Sequence, residues 1–224
     1  TLNRIKNKIF DYPIISTNLK YLKQIKYFLK KNKIKKYNII VEPVKKNTAP
    51  AIPSTVLIKT IPNRQPLMFF PSDHLIENSN KLNQAISINK KYLNNNNIFI
   101  FGIKPTHPSK EYGYFLTKKI RKNIHKVNKF IEKPSETKAK KILKKNGYWN
   151  SGMFFARKDS IINNYKKYQP SIYNSCLKSV FKAKLKKNTY LLNKSSFNTV
   201  KAKSFDYAIL EKTKNINAIR LNIY

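Results

Sequence analysis

Apolar residues recur along this chain in two rhythms, one helical and one extended. Between Asn18 and Lys31, Leu19, Leu22, Ile25, Phe28 and Leu29 fall at helical spacing with lysines between them, which predicts a surface helix with one buried stripe. Tyr37 to Val41 predicts a strand. Leu67 to Phe70 is an unbroken apolar run stopped by Pro71, the pattern of a strand buried on both faces, and Ile98 to Ile103 repeats it. Between these two runs Leu82, Ala85, Ile86 and Leu93 mark a helix. Val127 to Ile131 alternates like a strand, and Ser135 can cap a helix carrying Ala139, Ile142 and Leu143. Gly147 to Phe155 predicts a further strand, Ile172, Cys176 and Val180 a helix, Phe205 to Leu210 a shorter helix, and Ile216 to Leu221 a last strand. Alternating helices and doubly buried strands, with no flexible linker and no internal repeat, predict one α/β domain over residues 1–224, built on a doubly wound, mostly parallel sheet.

Composition changes this picture little. With 41% hydrophobic and 12% aromatic residues the chain can bury a core, so a formal charge of +37 does not imply disorder. Such a charge raises nucleic-acid binding as a function class. The lysines are nevertheless spread over the whole length among many Asn, Ile, Tyr and Phe residues, with 4 Gly, as a strong bias toward A/T-rich codons would leave them. Coding bias is therefore the favoured reading, and a specific nucleic-acid partner is not called for. Cys176 is alone, which excludes a disulfide framework and a thiolate metal site and fits a reducing cytoplasm. No apolar run has the length of a membrane span, so no membrane partner is expected, and the first residues lack the apolar core of a secretion signal. The first residue is Thr, so either an initiator was removed or the chain starts inside a longer protein.

Candidate chemistry gathers at the ends of the apolar runs. Asp73 sits just past the C-terminal end of Leu67 to Phe70, the edge of an α/β sheet where ligands bind; it either holds a hard cation such as Mg2+ or caps a following turn or helix. Pro50 suits the first turn of a helix, whose free N–H groups would attract a phosphate or a base edge, while Pro53 predicts that the helix starts later or kinks. Gly113, between Tyr112 and Tyr114, predicts a close approach of backbone to another group. Glu132 and Lys133 follow a strand, as a site or as an exposed pair of small energetic consequence. Ser72, Asp73 and His74 cannot form a hydrolase triad in place, because neighbouring side chains diverge. His74, His107 and His125 have no metal-ligand spacing.

Five segments in order resemble the bacterial-type mannose-1-phosphate guanylyltransferases, within the sugar-phosphate nucleotidyltransferases. Glu42 to Ile52 (EPVKKNTAPAI) is similar to that family's E-P-x-x-R-N-T-A-P-A-I loop, with Lys46 in place of Arg. Then come Pro71-Ser72-Asp73-His74; Phe101 to Pro105 leading to Tyr112-Gly113-Tyr114; and Phe130 to Pro134 (FIEKP) with Trp149 to Phe154 (WNSGMF). Ser204 to Lys212 is a weaker match to S-I-D-Y-A-V-M-E-K. The resemblance implies a three-layer, Rossmann-like nucleotide-diphospho-sugar transferase fold and transfer of GMP from GTP to mannose 1-phosphate, giving GDP-mannose and diphosphate. It implies catalytic roles for Asp73, as the Mg2+ ligand, and for Lys133, facing the sugar phosphate. Glu132, Asn150 and Gly113 would then line the sugar pocket, and Glu42, Lys46, Asn47 and Thr48 would face the guanine. Asp206 is read as a capping or scaffold group. The family's glycine-rich phosphate loop belongs ahead of Thr1 to Ile5 and its W-S-D-V-G-S-W segment after Leu221; the expectation is a chain truncated at both ends, lacking the first strand and loop, and inactive alone. The alternatives are a catalytically dead remnant and a basic nucleic-acid-binding protein. A homo-oligomer is left open.

Overall fold

A computed structural model describes residues 7–74, 76, 78–121 and 123–221. Thr1 to Ile5, ahead of which the glycine-rich loop is expected, lie outside the described residues. In chain order the elements are β1 (Ile14–Asn18), α1 (Leu22–Lys31), β2 (Asn38–Glu42), α2 (Thr48–Val56), β3 (Pro66–Phe69), α3 (Ser79–Asn89), β4 (Ile98–Ile103), β5 (Tyr114–Arg121), β6 (Ile124–Ile131) and α4 (Glu136–Lys144). They continue with β7 (Tyr148–Arg157), α5 (Lys158–Tyr168), α6 (Pro170–Phe181), β8 (Lys184–Lys186), β9 (Thr189–Leu191), α7 (Lys194–Asn198), a π-helical turn (Asp206–Leu210) and β10 (Ile216–Leu221). These pack as two compact units, one of the residues up to Pro62 with Tyr165–Phe205, the other of Asn63–Asn164 with the residues from Asp206 on. Among the described residues no helix is long and apolar enough to cross a membrane.

The first unit holds a four-stranded sheet in the order β1-β2-β9-β8, parallel except for the β8–β9 pair. Its core joins Leu29 of α1 to Ile39 and Val41 of β2, with Leu22 and Ile25 packed against them. The predicted helical stripe is narrower than its spacing suggested. Asn18 caps a short 3-10 turn over Leu19–Tyr21 before α1 begins, and this leaves Leu19 63% exposed; Phe28, beside Leu29, is also exposed.

The second unit is a six-stranded sheet in the order β3-β7-β4-β10-β6-β5. Its centre is β4, whose Ile98, Phe99, Ile100 and Phe101 are fully buried, as a doubly covered strand should be. The α/β expectation holds, but the strand directions are mixed rather than mostly parallel. β4 and β10 are parallel, whereas β7 runs antiparallel to both β3 and β4 and separates them, and β5 and β6 form a long antiparallel ribbon. A run of apolar residues reports burial on two faces and says nothing of direction. β3 departs from expectation in a second way: it is an edge strand, and Pro66 to Phe69 are half-buried rather than enclosed. As predicted, Ser135 caps α4 by accepting the Lys138 N–H, and Ala139 and Ile142 pack against Tyr114 with Leu143 alongside.

Candidate functional site

The start of β7 is the hub of the site. Its pairings set Asn150 opposite Gly102 of β4 and Trp149 opposite Tyr114 of β5. The Asn150 backbone N–H donates to the Gly113 carbonyl at 2.8 Å. This fixes Gly113, and a Cβ there would collide with Oε2 of Glu132 and lie 3.5 Å from the Asn150 Cβ. The close approach expected at Gly113 is thus present, and what approaches is a carboxylate. Two residues along β7, Gly152 adopts φ 71°, and a Cβ on it would meet Pro71 at 3.3 Å and His74 at 3.6 Å. The Pro71–His74 turn, which carries the exposed Asp73, therefore runs beside the same strand end. The cause is the register of β3 against β7, with Phe69 opposite Phe154.

Two residues of the π-helical segment join this cluster. Asp206 Oδ1 accepts from Asn150 Nδ2 at 2.8 Å, and Glu211 Oε1 accepts from the Glu132 backbone N–H at 2.9 Å. Lys133 follows at φ 45°, a left-handed conformation that costs a side-chain-bearing residue about 1 kcal/mol or more. Burial raises the Glu132 pKa to about 7, the Asp206 charge adds to this, Lys133 opposes it and Glu211 adds a smaller push. Burial likewise raises Asp206, opposed by its own backbone N–H and by the Asn150 amide. Asn150 Oδ1 is buried and finds no hydrogen-bond partner among the described residues. A buried acceptor left open costs about 1–3 kcal/mol, so the site rewards a ligand that brings a hydroxyl donor.

The Glu42–Thr48 loop belongs to the other unit and is more self-contained than expected. Glu42 is buried at the end of β2, accepts from Ser16 Oγ at 2.7 Å, and has its pKa raised by burial. Lys46 Nζ donates to the Asn198 carbonyl at 3.1 Å. The helix begins at Thr48, earlier than Pro53 suggested, and its first N–H groups are not free for a phosphate: Thr48 N–H is capped by Asn47 Oδ1 at 2.7 Å and Ala49 N–H donates to the Lys203 carbonyl. The Thr48 hydroxyl oxygen accepts from Phe205 N–H at 2.8 Å. Pro50 stays within the first turn, and Pro53 is tolerated inside α2 because the hydroxyl of Tyr165 donates to the Ala49 carbonyl that Pro53, lacking an N–H, cannot serve. Asn47 itself sits at φ 68°, ψ −172°, a region used almost only by glycine. Such strain, held in place by capping and loop hydrogen bonds, clusters at ligand-contacting loops.

Among the described residues no three His, Cys, Asp or Glu side chains are grouped to hold a metal. Asp73 alone fits Mg2+, which takes one or two carboxylates and completes its shell with phosphate oxygens and water. His125 is buried, with its pKa lowered first by burial and then by Arg220 and Lys119. Cys176 is a buried thiol whose pKa is pushed up to about 12 by burial, so it is no nucleophile. Sequence reasoning missed Glu211 and took Asp206 for scaffold. The available signal was the D-Y-A-I-L-E spacing, but two acids five apart face different sides of an ordinary α-helix, and nothing in the pattern announces a π turn.

Comparison with known proteins shows the family. A family model described as Nucleotidyl transferase matches residues 1–196. The chain is 30% identical over 227 residues to the alginate biosynthesis protein AlgA of Pseudomonas fluorescens, covering 99% of this chain and 47% of that protein. It is 33% identical over 195 residues to a mannose-1-phosphate guanylyltransferase of Escherichia coli, covering 83% of this chain and 42% of that protein. The chain spans about half the length of the curated relatives it matches. Among solved structures, one described as mannose-6-phosphate isomerase from Helicobacter pylori superposes with a TM-score of 0.88 at 27% identity, covering 99% of this chain and 87% of that one. On the extent of the family match, this chain belongs to the nucleotidyl transferase family.

Proposed function

We propose that this chain is the nucleotidyltransferase part of a mannose-1-phosphate guanylyltransferase, transferring GMP from GTP to mannose 1-phosphate to give GDP-mannose and diphosphate. The observation that carries the reading is the cluster at the start of β7: Glu132 laid against Gly113, and a buried Asn150 acceptor without a partner among the described residues, beside a strained Lys133. Acceptors that need hydroxyl donors suit a sugar, and an ammonium beside them suits its phosphate. The E. coli relative named for this activity supports the choice of substrate pair. The family match runs through residues of both units, which supports treating 1–224 as one nucleotidyltransferase-like domain in function.

In the proposed reaction an oxygen of the sugar phosphate attacks the α-phosphorus of GTP, the bond to the bridging oxygen breaks, and diphosphate leaves with that electron pair. No covalent intermediate is required, so catalysis rests on positioning and on cationic stabilisation of the transferring group. Glu132, when ionised, accepts from sugar hydroxyls, Asn150 Oδ1 accepts another, and Gly113 leaves the space in which the Glu132 carboxylate sits. Lys133 meets the sugar phosphate. Asp73 would hold Mg2+, which when bound neutralises charge on the phosphates. Asn47 and Thr48 contact the guanine through the amide N–H2 and hydroxyl hydrogen that their loop contacts leave available, while Lys46 and Glu42 set the shape of that loop. The setting is the cytoplasm, where GTP is supplied.

The test is to supply the protein carrying this chain with Mg2+, each of GTP, ATP and UTP, and either mannose 1-phosphate or glucose 1-phosphate, and to separate the products by chromatography. GDP-mannose as the dominant product is the expected result. Equal use of glucose 1-phosphate, or a preference for UTP, would overturn the assignment.

A further inference from the structure

The segment after the family match, which ends at residue 196, holds the cluster together. Asp206–Leu210 forms one π-helical turn, closed by a hydrogen bond of 2.9 Å from the Glu211 N–H to the Asp206 carbonyl. Its apolar residues Ala208, Ile209 and Leu210 are buried and anchor it. In an α-helix, at 3.6 residues per turn, residues 206 and 211 would point about 140° apart. The wider turn brings their carboxylates round to serve neighbouring partners, and single π turns of this kind recur at functional sites. The partners come from two distant parts of the chain: the Asn150 side chain on β7 and the Glu132 backbone at the exit of β6.

Each contact decides something the site needs. An Asn amide can present either its oxygen or its nitrogen to a ligand. Asp206 offers only acceptors when ionised, so it draws Asn150 Nδ2 to itself and leaves Oδ1, the acceptor without a partner among the described residues, turned away from it. Glu211 draws in the N–H of Glu132 and so pins the residue immediately before the left-handed Lys133. Without that contact the chain around Lys133 would relax toward an unstrained backbone and carry the ammonium with it.

We infer that Asp206 and Glu211 are positioning residues for the sugar-phosphate site, the first orienting the Asn150 amide and the second fixing the Glu132–Lys133 turn. The inference rests on the reading that this site takes mannose 1-phosphate. The charged groups facing Glu132 are Asp206, Lys133 and Glu211, and the two acids both oppose its ionisation. Removing either charge should therefore make Glu132 ionise at lower pH, while a merely structural role would not predict that an acceptor at 211 alone restores binding.

The experiment is calorimetric titration with mannose 1-phosphate from about pH 5 to about pH 9, on the unaltered protein and on Asp206→Ala, Asp206→Asn, Glu211→Ala and Glu211→Gln. Because the ligand's phosphate titrates near pH 6, the comparison is between proteins at equal pH. Each Ala variant should bind about tenfold or more weakly; Glu211→Gln, which keeps an acceptor for the Glu132 N–H, should recover most of the affinity, whereas Asp206→Asn, which offers a donor as well and no longer dictates how the Asn150 amide is turned, should recover only part of it. The amide variants should also move the lower pH limit of binding down by about half a unit or more. Circular dichroism of all four variants guards against unfolding as the cause of any loss. A protein that binds but whose Ala variants bind equally well, or in which Glu211→Gln recovers none of the lost affinity, overturns the positioning role alone. Unaltered protein that binds no mannose 1-phosphate at any pH overturns the sugar-phosphate reading and this inference with it.

Discussion

Replacing Tyr165 by phenylalanine should cost the fold more than the loss of an ordinary surface hydroxyl. Tyr165 is fully buried, and its hydroxyl donates at 2.7 Å to the Ala49 carbonyl in the first turn of α2. In a regular α-helix that carbonyl would accept from the residue four places on, but that residue is Pro53, which has no N–H. The Tyr165→Phe variant would keep the ring, and with it the stacking on Phe205 at 6.3 Å between centroids. The change would therefore remove the hydroxyl and leave a buried acceptor without its donor, at about 1–3 kcal/mol. For a chain of this length that corresponds to a fall in Tm of about 2–12 °C. The decisive assay is a double-mutant cycle by denaturant unfolding with Pro53→Ala, which restores an N–H four residues after Ala49. In the Pro53→Ala background the Tyr165→Phe cost should drop below about 1 kcal/mol, a coupling expected of groups serving one acceptor. A cost within about 0.5 kcal/mol of zero in the parent protein, or the same cost with and without Pro53, would refute the reasoning.

Three further outcomes are expected. Gly113→Ala should displace the Glu132 carboxylate, the far end of a flexible side chain, so stability should change by no more than about 1 kcal/mol while mannose 1-phosphate binding by calorimetry is lost; retained binding would contradict the packing of Glu132 on Gly113. Lys133→Gly removes the strain of φ 45° along with the ammonium, so thermal unfolding should occur no earlier and sugar-phosphate binding should weaken. Glu132 has a folded pKa raised to about 7, so its stabilising effect is fully present below the ordinary carboxylate range and is lost as pH rises through about 7. Unfolding midpoints at intervals over that window should fall less steeply in Glu132→Gln than in the parent, and parallel curves would contradict the shift.

The sequence was most legible where one signal sufficed. The unbroken Ile98 to Phe101 run is the buried centre of its sheet, Ser135 caps α4, and the scarcity of glycine rightly marked Gly113 as a place of close approach. Legibility failed where the deciding information lies in partners remote in sequence. β3 has the same apolar run as β4 yet ends as a half-buried edge, because edge or centre is decided by what pairs alongside. β5 was missed since its Thr117 to Arg121 half is polar but for Ile120 and mostly exposed, held by cross-strand pairing with β6 rather than by a buried face. The short β8 and β9 gave too little pattern to read. At the site, the residues of the resemblance meet as a group in Gly113, Glu132 and Asn150, whereas the roles of Asp206 and Glu211 depend on a π turn that has no sequence period of its own.

The most direct measurement is a crystal structure of the protein with mannose 1-phosphate bound. The sugar hydroxyls should lie within hydrogen-bonding distance of Asn150 Oδ1 and the Glu132 carboxylate, with the phosphate against Lys133. A sugar bound elsewhere, with Asn150 Oδ1 still enclosed and unmet, would contradict the central claim.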